Sequence, residues 1–167
     1  DGTTGNQIWT YDPVVDRAAS LNTSWSVRIN RGVAVWQGRV FIGTGDCRVI
    51  ALDAATGDLV WEVLTTDQAQ SYTITGAPRI ADGNIVIGNG GAEYGVRGYV
   101  TAYNLDTGEQ AWRFYTVPGN PADGFEDATQ EMAAATWTGE WWVDGGGGTA
   151  WDSFAYDPEL NLLYIGT

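Results

Sequence analysis

Thr56-Gly57-Asp58-Leu59-Val60-Trp61 has two counterparts in this chain, Thr4-Gly5-Asn6-Gln7-Ile8-Trp9 upstream and Thr107-Gly108-Glu109-Gln110-Ala111-Trp112 downstream. Three residues before each threonine stands Asp1, Asp53 or Asn104. The copies are spaced 52 and 51 residues apart. A period of about 50 residues with strand-forming content predicts an all-β fold built from propeller blades.

The unit has a readable mechanics. Val49-Ile50-Ala51-Leu52 and Tyr99-Val100-Thr101-Ala102-Tyr103 are rich in strand formers. Each runs into Asp/Asn-x-x-Thr-Gly, where the Asp or Asn can cap a turn and the glycine can take positive φ. The chain then reverses into a strand carrying the tryptophan. That ring is expected to lie between neighbouring blades, a packing role.

A second repeat marks an inner strand of each blade. Val40-Phe41-Ile42-Gly43, Ile85-Val86-Ile87-Gly88 and Leu163-Tyr164-Ile165-Gly166 share an apolar run ending in Ile-Gly. The first two lie 45 residues apart and the last two 78. The third blade therefore carries an insertion, roughly 118–148. Within it, Glu126 to Ala135 is a short helix candidate, rich in Ala and Glu. A long loop on a rigid scaffold is a usual place for a binding site.

Charge narrows the function. The chain has 21 acidic residues against 8 basic ones and no histidine. Nucleic acid is a poor partner for such a chain, because phosphate binding needs a basic face. An anionic membrane surface is disfavoured for the same reason, and no apolar run of 18 residues is present to span a bilayer. Cys47 is the single cysteine, so no intramolecular disulfide is available. Without histidine, a zinc, haem or histidine-copper site from these residues is disfavoured. A metal here should be a hard cation held by oxygens.

Three further stretches are specific. They are Asn30-Arg31-Gly32-Val33-Ala34-Val35-Trp36; Tyr72 to Pro78 running on to Gly90-Gly91-Ala92-Glu93-Tyr94-Gly95-Val96-Arg97-Gly98; and Gly145 to Ser153 with Tyr156-Asp157-Pro158. In content and order they resemble the alcohol dehydrogenases that depend on pyrroloquinoline quinone (PQQ), and the resemblance covers nearly the whole chain. It implies about three blades of an eight-bladed propeller of four-stranded antiparallel sheets. Residues 1–167 would be part of a single PQQ-binding domain, since an arc of three blades cannot close a ring.

The resemblance also implies the chemistry. The family oxidises alcohols with PQQ and usually Ca²⁺, and passes electrons to a c-type cytochrome or a fused haem c domain. It is periplasmic. A lanthanide in place of Ca²⁺ stays open. By motif, Glu93 would be a metal ligand, and Arg31 would pair with a cofactor carboxylate, as a planar guanidinium suits. Thr75 and Thr149 would offer hydroxyls. Gly90, Gly91 and Ala92 would bring backbone close to the ligand, and Trp151 would be the plane on which the quinone stacks.

The sequence departs from the family in one place. Two adjacent cysteines, whose disulfide often roofs the quinone, are replaced by Trp25 and Ser26, and a stacked Trp25 ring is a conceivable substitute. The family's catalytic aspartate has no counterpart here, so no catalytic residue is assigned. Asp152 and Asp157 read as structural. Two other readings stand beside the enzyme: a non-enzymatic propeller scaffold of the same repeats, and a quinoprotein sugar dehydrogenase. A scaffold has no need to combine Arg31, Glu93 and Trp151. The Gly-Ala-Glu-Tyr-Gly-Val-Arg-Gly run speaks against the sugar enzyme.

Overall fold

A computed structural model describes residues 1–15 and 29–167. Trp25 and Ser26 lie outside the described residues. Among the described residues, ten strands follow one another in three antiparallel groups. The first sheet runs β1 (Ala34–Trp36), β2 (Arg39–Gly43), β3 (Arg48–Asp53), β4 (Leu59–Leu64), in that spatial order. The second repeats the order with β5 (Arg79–Ala81), β6 (Asn84–Gly88), β7 (Tyr99–Asn104) and β8 (Gln110–Tyr115). A hairpin of β9 (Phe154–Asp157) and β10 (Leu162–Ile165) begins a third group. The predicted inner-strand repeats are β2, β6 and β10, the second strand of each group.

Within each group, every strand pairs antiparallel with its sequence neighbour. Both full sheets shift register at one matching place, Ala51/Leu52 and Ala102/Tyr103, just before the Thr-Gly turn. The groups converge on their first strands, with β1 beside β5 and β5 beside β9. This is the wedge geometry of propeller blades.

The apolar runs are continuous because a middle sheet buries both faces. Ile85 and Ile87 of β6 and Tyr99 and Tyr103 of β7 pack toward the first sheet, with Phe41, Val49, Ala51 and Trp61. Their alternates, Val86, Val100 and Ala102, pack with Phe154 and Ala150 toward the third group. Side chains alternate faces along a strand, so one run fills two interfaces.

The repeat turns work as read. Asp53 Oδ1 accepts from the N–H of Ala55 and Thr56 at 2.8 and 2.9 Å. Asn104 and Asp1 do the same for their own turns. Asp157 accepts from Glu159 and Leu160 at 2.9 and 3.0 Å, the structural role expected of it.

The tryptophan does something the repeat alone did not reveal. Trp9 donates its indole N–H to the Ala54 carbonyl, and Trp61 to the Leu105 carbonyl, each across 3.0 Å. Each ring therefore docks on the turn of the following repeat. Gly57 and Gly108 have φ of +79° and +73°, and a Cβ there would stand 2.7 and 2.8 Å from the Trp9 and Trp61 rings. These glycines are needed both for their backbone angle and for the ring lying on them.

The insertion is a long connection between sheets: residues 116–153 leave β8 and enter β9. It holds two 3₁₀ turns, Pro121–Asp123 and Trp141–Asp144, around α1 (Ala128–Ala134). Asp127 caps α1 by accepting from the Gln130 N–H, so the helix is shorter at its start than the 126–135 stretch read from composition. Among the described residues, no helix is long and apolar enough to cross a membrane.

Candidate functional site

Three segments meet at one mouth of this wedge. The first carries Arg31, just before β1. The second is the extended stretch before β5 with Thr73 and Thr75, bridged to Gly90 after β6 by paired backbone bonds of 2.8 and 3.3 Å. The third is the end of the insertion, Gly145 to Trp151. They enclose a cavity of about 320 Å³ lined by Arg31, Thr73, Thr75, Gly90, Gly91, Ala92, Glu93, Tyr94, Thr149 and Trp151. All eight residues singled out by motif line it.

Arg31 is anchored twice to Thr75. Its backbone N–H donates to the Thr75 carbonyl at 3.0 Å, and its guanidinium donates to the Thr75 hydroxyl. The guanidinium carbon lies 4.9 Å from the centre of the Trp151 ring, within cation–π range. Trp151 itself is 47% exposed, far above Trp61 at 9%. Trp36 and Trp112 are similarly open, at 47% and 41%; what sets Trp151 apart is that its ring lines this cavity beside Arg31. Thr75 and Thr149 are buried beside it.

Close backbone approach puts Trp151 there. A Cβ at Gly76 would stand 2.6 Å from the Trp151 carbonyl, and one at Gly88 would stand 2.1 Å from that of Ala150. Gly145 to Gly148 all have positive φ, a left-handed run that glycine alone adopts readily. It turns the insertion back onto the sheet.

Glu93 sits in a 3₁₀ turn, Ala92–Tyr94, between Gly91 at φ +110° and Gly95 at +78°. It is exposed and, among the described residues, is the sole carboxylate lining the cavity. Asn89, fully buried, fixes this loop from beneath. Its amide donates to the carbonyls of Gly90 and Arg97 at 3.2 and 3.3 Å, and its oxygen accepts from the Tyr99 N–H at 2.7 Å.

Motif reading missed Thr73, Tyr94 and Asn89. Asn89 left a signal: an amide interrupting Ile87-Gly88 and Gly90-Gly91 has to satisfy its polar atoms once buried. Asp152 does not line the cavity.

The donor set fits a flat, aromatic ligand that carries an anionic group. An exposed indole, a guanidinium, buried hydroxyls and close backbone supply a plane, a counter-charge and hydrogen-bond partners. One carboxylate meets a hard cation only in part. Ca²⁺ takes six to eight oxygens, and the described residues contain no cluster of three or more acidic, His or Cys ligands. The remaining oxygens would come from the ligand and from other segments.

Wedge-packed four-stranded antiparallel sheets with a pocket at the mouth define a β-propeller arc. The chain belongs to the family described as PQQ glucose/ethanol/alcohol dehydrogenase, β-propeller domain, whose model matches residues 1–167. It is 56% identical over 168 residues to quinohemoprotein alcohol dehydrogenase ADH IIB of Pseudomonas putida, covering 100% of this chain and 24% of that protein. The crystal structure of quinohemoprotein alcohol dehydrogenase from Comamonas testosteroni superposes with a TM-score of 0.91 at 54% identity, over 99% of this chain and 25% of that one. A europium-containing methanol dehydrogenase superposes at 0.78 with 36% identity, over 93% and 28%. The chain thus spans about a quarter of the length of these relatives.

Proposed function

We propose that this chain is the PQQ- and metal-binding part of an alcohol dehydrogenase that oxidises alcohols to aldehydes. The observation that carries the reading is the convergence of Arg31, Glu93 and Trp151 on one cavity. When bound, the quinone supplies a two-electron acceptor for hydride and Ca²⁺, or a lanthanide, a Lewis acid to polarise it.

This chain's own residues bind and orient. Trp151 offers a plane for stacking and excludes water from that face. Arg31 neutralises a carboxylate with a fork of donors and is itself pre-aligned by Thr75. Thr149, Gly90, Gly91 and Ala92 hold the ligand edge, and Glu93 gives the metal a charged oxygen. No side chain here is assigned the alcohol proton. Electrons would leave to a c-type cytochrome or haem c domain. The Pseudomonas putida and Comamonas testosteroni relatives are quinohemoproteins, which supports a haem outlet. The periplasm is the proposed compartment. The insertion at 118–148 and the single-domain organisation of 1–167 belong to the same reading.

The test uses the full-length protein freed of quinone and metal. Adding PQQ with Ca²⁺ or a lanthanide should restore dye reduction by primary alcohols and not by glucose. Absence of any quinone-dependent alcohol oxidation would overturn the reading.

A further inference from the structure

We infer that Arg97 and Glu126 form a clamp that positions the Glu93 loop and the Trp151 segment relative to each other. The inference rests on the proposed quinone and metal site. Arg97 belongs to the Gly90–Gly98 motif, yet it does not line the cavity. Its side chain turns away, toward the insertion. Nη1 and Nη2 donate to Glu126 Oε1 and Oε2 at 2.6 and 3.1 Å, a two-pronged pair. Nε donates to the Val117 carbonyl at 2.6 Å. The guanidinium carbon lies 3.8 Å from the centre of the Tyr115 ring.

The backbone at the same place faces the other way. Arg97 bridges in parallel to Gly147, and the Gly98 N–H donates to the Gly147 carbonyl at 3.0 Å. Thr116 Oγ1 donates to the Gly148 carbonyl at 2.5 Å. Arg97 therefore touches the loop of Glu93, the root of the insertion at Tyr115 to Val117, the approach to α1 at Glu126, and the glycine run leading to Trp151. Gln130 of α1 adds a bond to the Tyr115 carbonyl at 2.7 Å. The glycine run has little conformational stiffness of its own. A fixed cation at its flank confines it, and with it the indole plane.

Arg97 and Glu126 are positioning residues, since neither reaches the cavity. Glu126→Gln keeps the shape and removes the charge. In the full-length protein, PQQ affinity read by tryptophan quenching and Ca²⁺ affinity read by titration should each weaken about three- to fivefold. The melting temperature of the quinone-free protein should stay within about 2 °C of wild type, since one partly exposed pair contributes little. Arg97→Lys, which keeps charge without the fork, should behave similarly.

Wild-type affinities in Glu126→Gln would overturn the inference. So would an equal loss in Asp157→Ala, which weakens the β9–β10 turn without touching the clamp, because that would mark the effect as general destabilisation. Failure of the wild-type protein to bind PQQ at all would instead overturn the proposed function, and with it the clamp's role.

Discussion

The indole N–H of Trp61 donates to the carbonyl of Leu105 across 3.0 Å, although 44 residues separate the two. This bond joins the fourth strand of one sheet to the turn of the next. Gly108, three residues beyond Leu105, lies under the same ring. Gly108→Ala should destabilise the protein by about 2–4 kcal/mol, combining left-handed strain with overpacking. Gly83 is its control. It has φ +72° in the β5–β6 turn, with nothing within 4 Å of a Cβ. Gly83→Ala should cost about 1 kcal/mol from backbone strain alone. Denaturant unfolding of the full-length variants measures both, and equal losses would remove the docking argument.

Arg31 should matter through geometry as well as charge. Arg31→Ala should weaken PQQ binding by roughly 10- to 100-fold, the loss of charge-assisted bonds. Arg31→Lys should recover only part of it, because an ammonium lacks the planar fork and the stacking on Trp151. Fluorescence titration of each variant decides this.

Glu93→Gln should lower metal affinity by roughly 10- to 100-fold, since loss even of a metal's outer-sphere partner costs that much. Its effect on the melting temperature of the metal-free protein should be near zero, as the carboxylate is exposed. Calcium titration calorimetry checks the first statement and a thermal scan with chelator the second.

Cys47 should be inert in the folded chain. It is buried between the first two sheets, and burial, with Asp46 beside it, pushes its thiol up to about 12. Iodoacetamide at pH 8.5 should modify it only after unfolding, because the thiolate is the reactive form. The sign of the linkage follows. The folded value is raised, so the protective contribution is complete below the ordinary thiol pKa of about 8.5 and is lost as pH climbs toward 12. Cys47→Ala should flatten that alkaline loss of stability in a pH series of melting curves.

The Glu126 carboxyl is held below its ordinary value by the Arg97 guanidinium. A lowered folded value contributes stability above the usual glutamate pKa and loses it as pH falls through the folded one. Glu126 is 42% exposed, so the contribution is about 1 kcal/mol or less. The difference in melting temperature between wild type and Glu126→Gln should be steady near neutrality and vanish in acid.

Much of this was legible in the residues. The Asp/Asn-x-x-Thr-Gly turns, the Trp that follows and the Ile-Gly strand ends are local patterns with local causes, and they determine strand order and period. Motif resemblance reached eight of the ten cavity residues for a similar reason: glycines at 90 and 91 and the acidic turn at 93 are short-range necessities. Three things were decided only by tertiary structure. One is that Trp9 and Trp61 seat on the next repeat, because a repeat shows what recurs and not which copy touches which. Another is the burial of Asn89, whose need for partners appears only once strands enclose it. The last is the reach of Arg97 to Glu126, where distance along the chain hides a contact that packing brings within 3 Å.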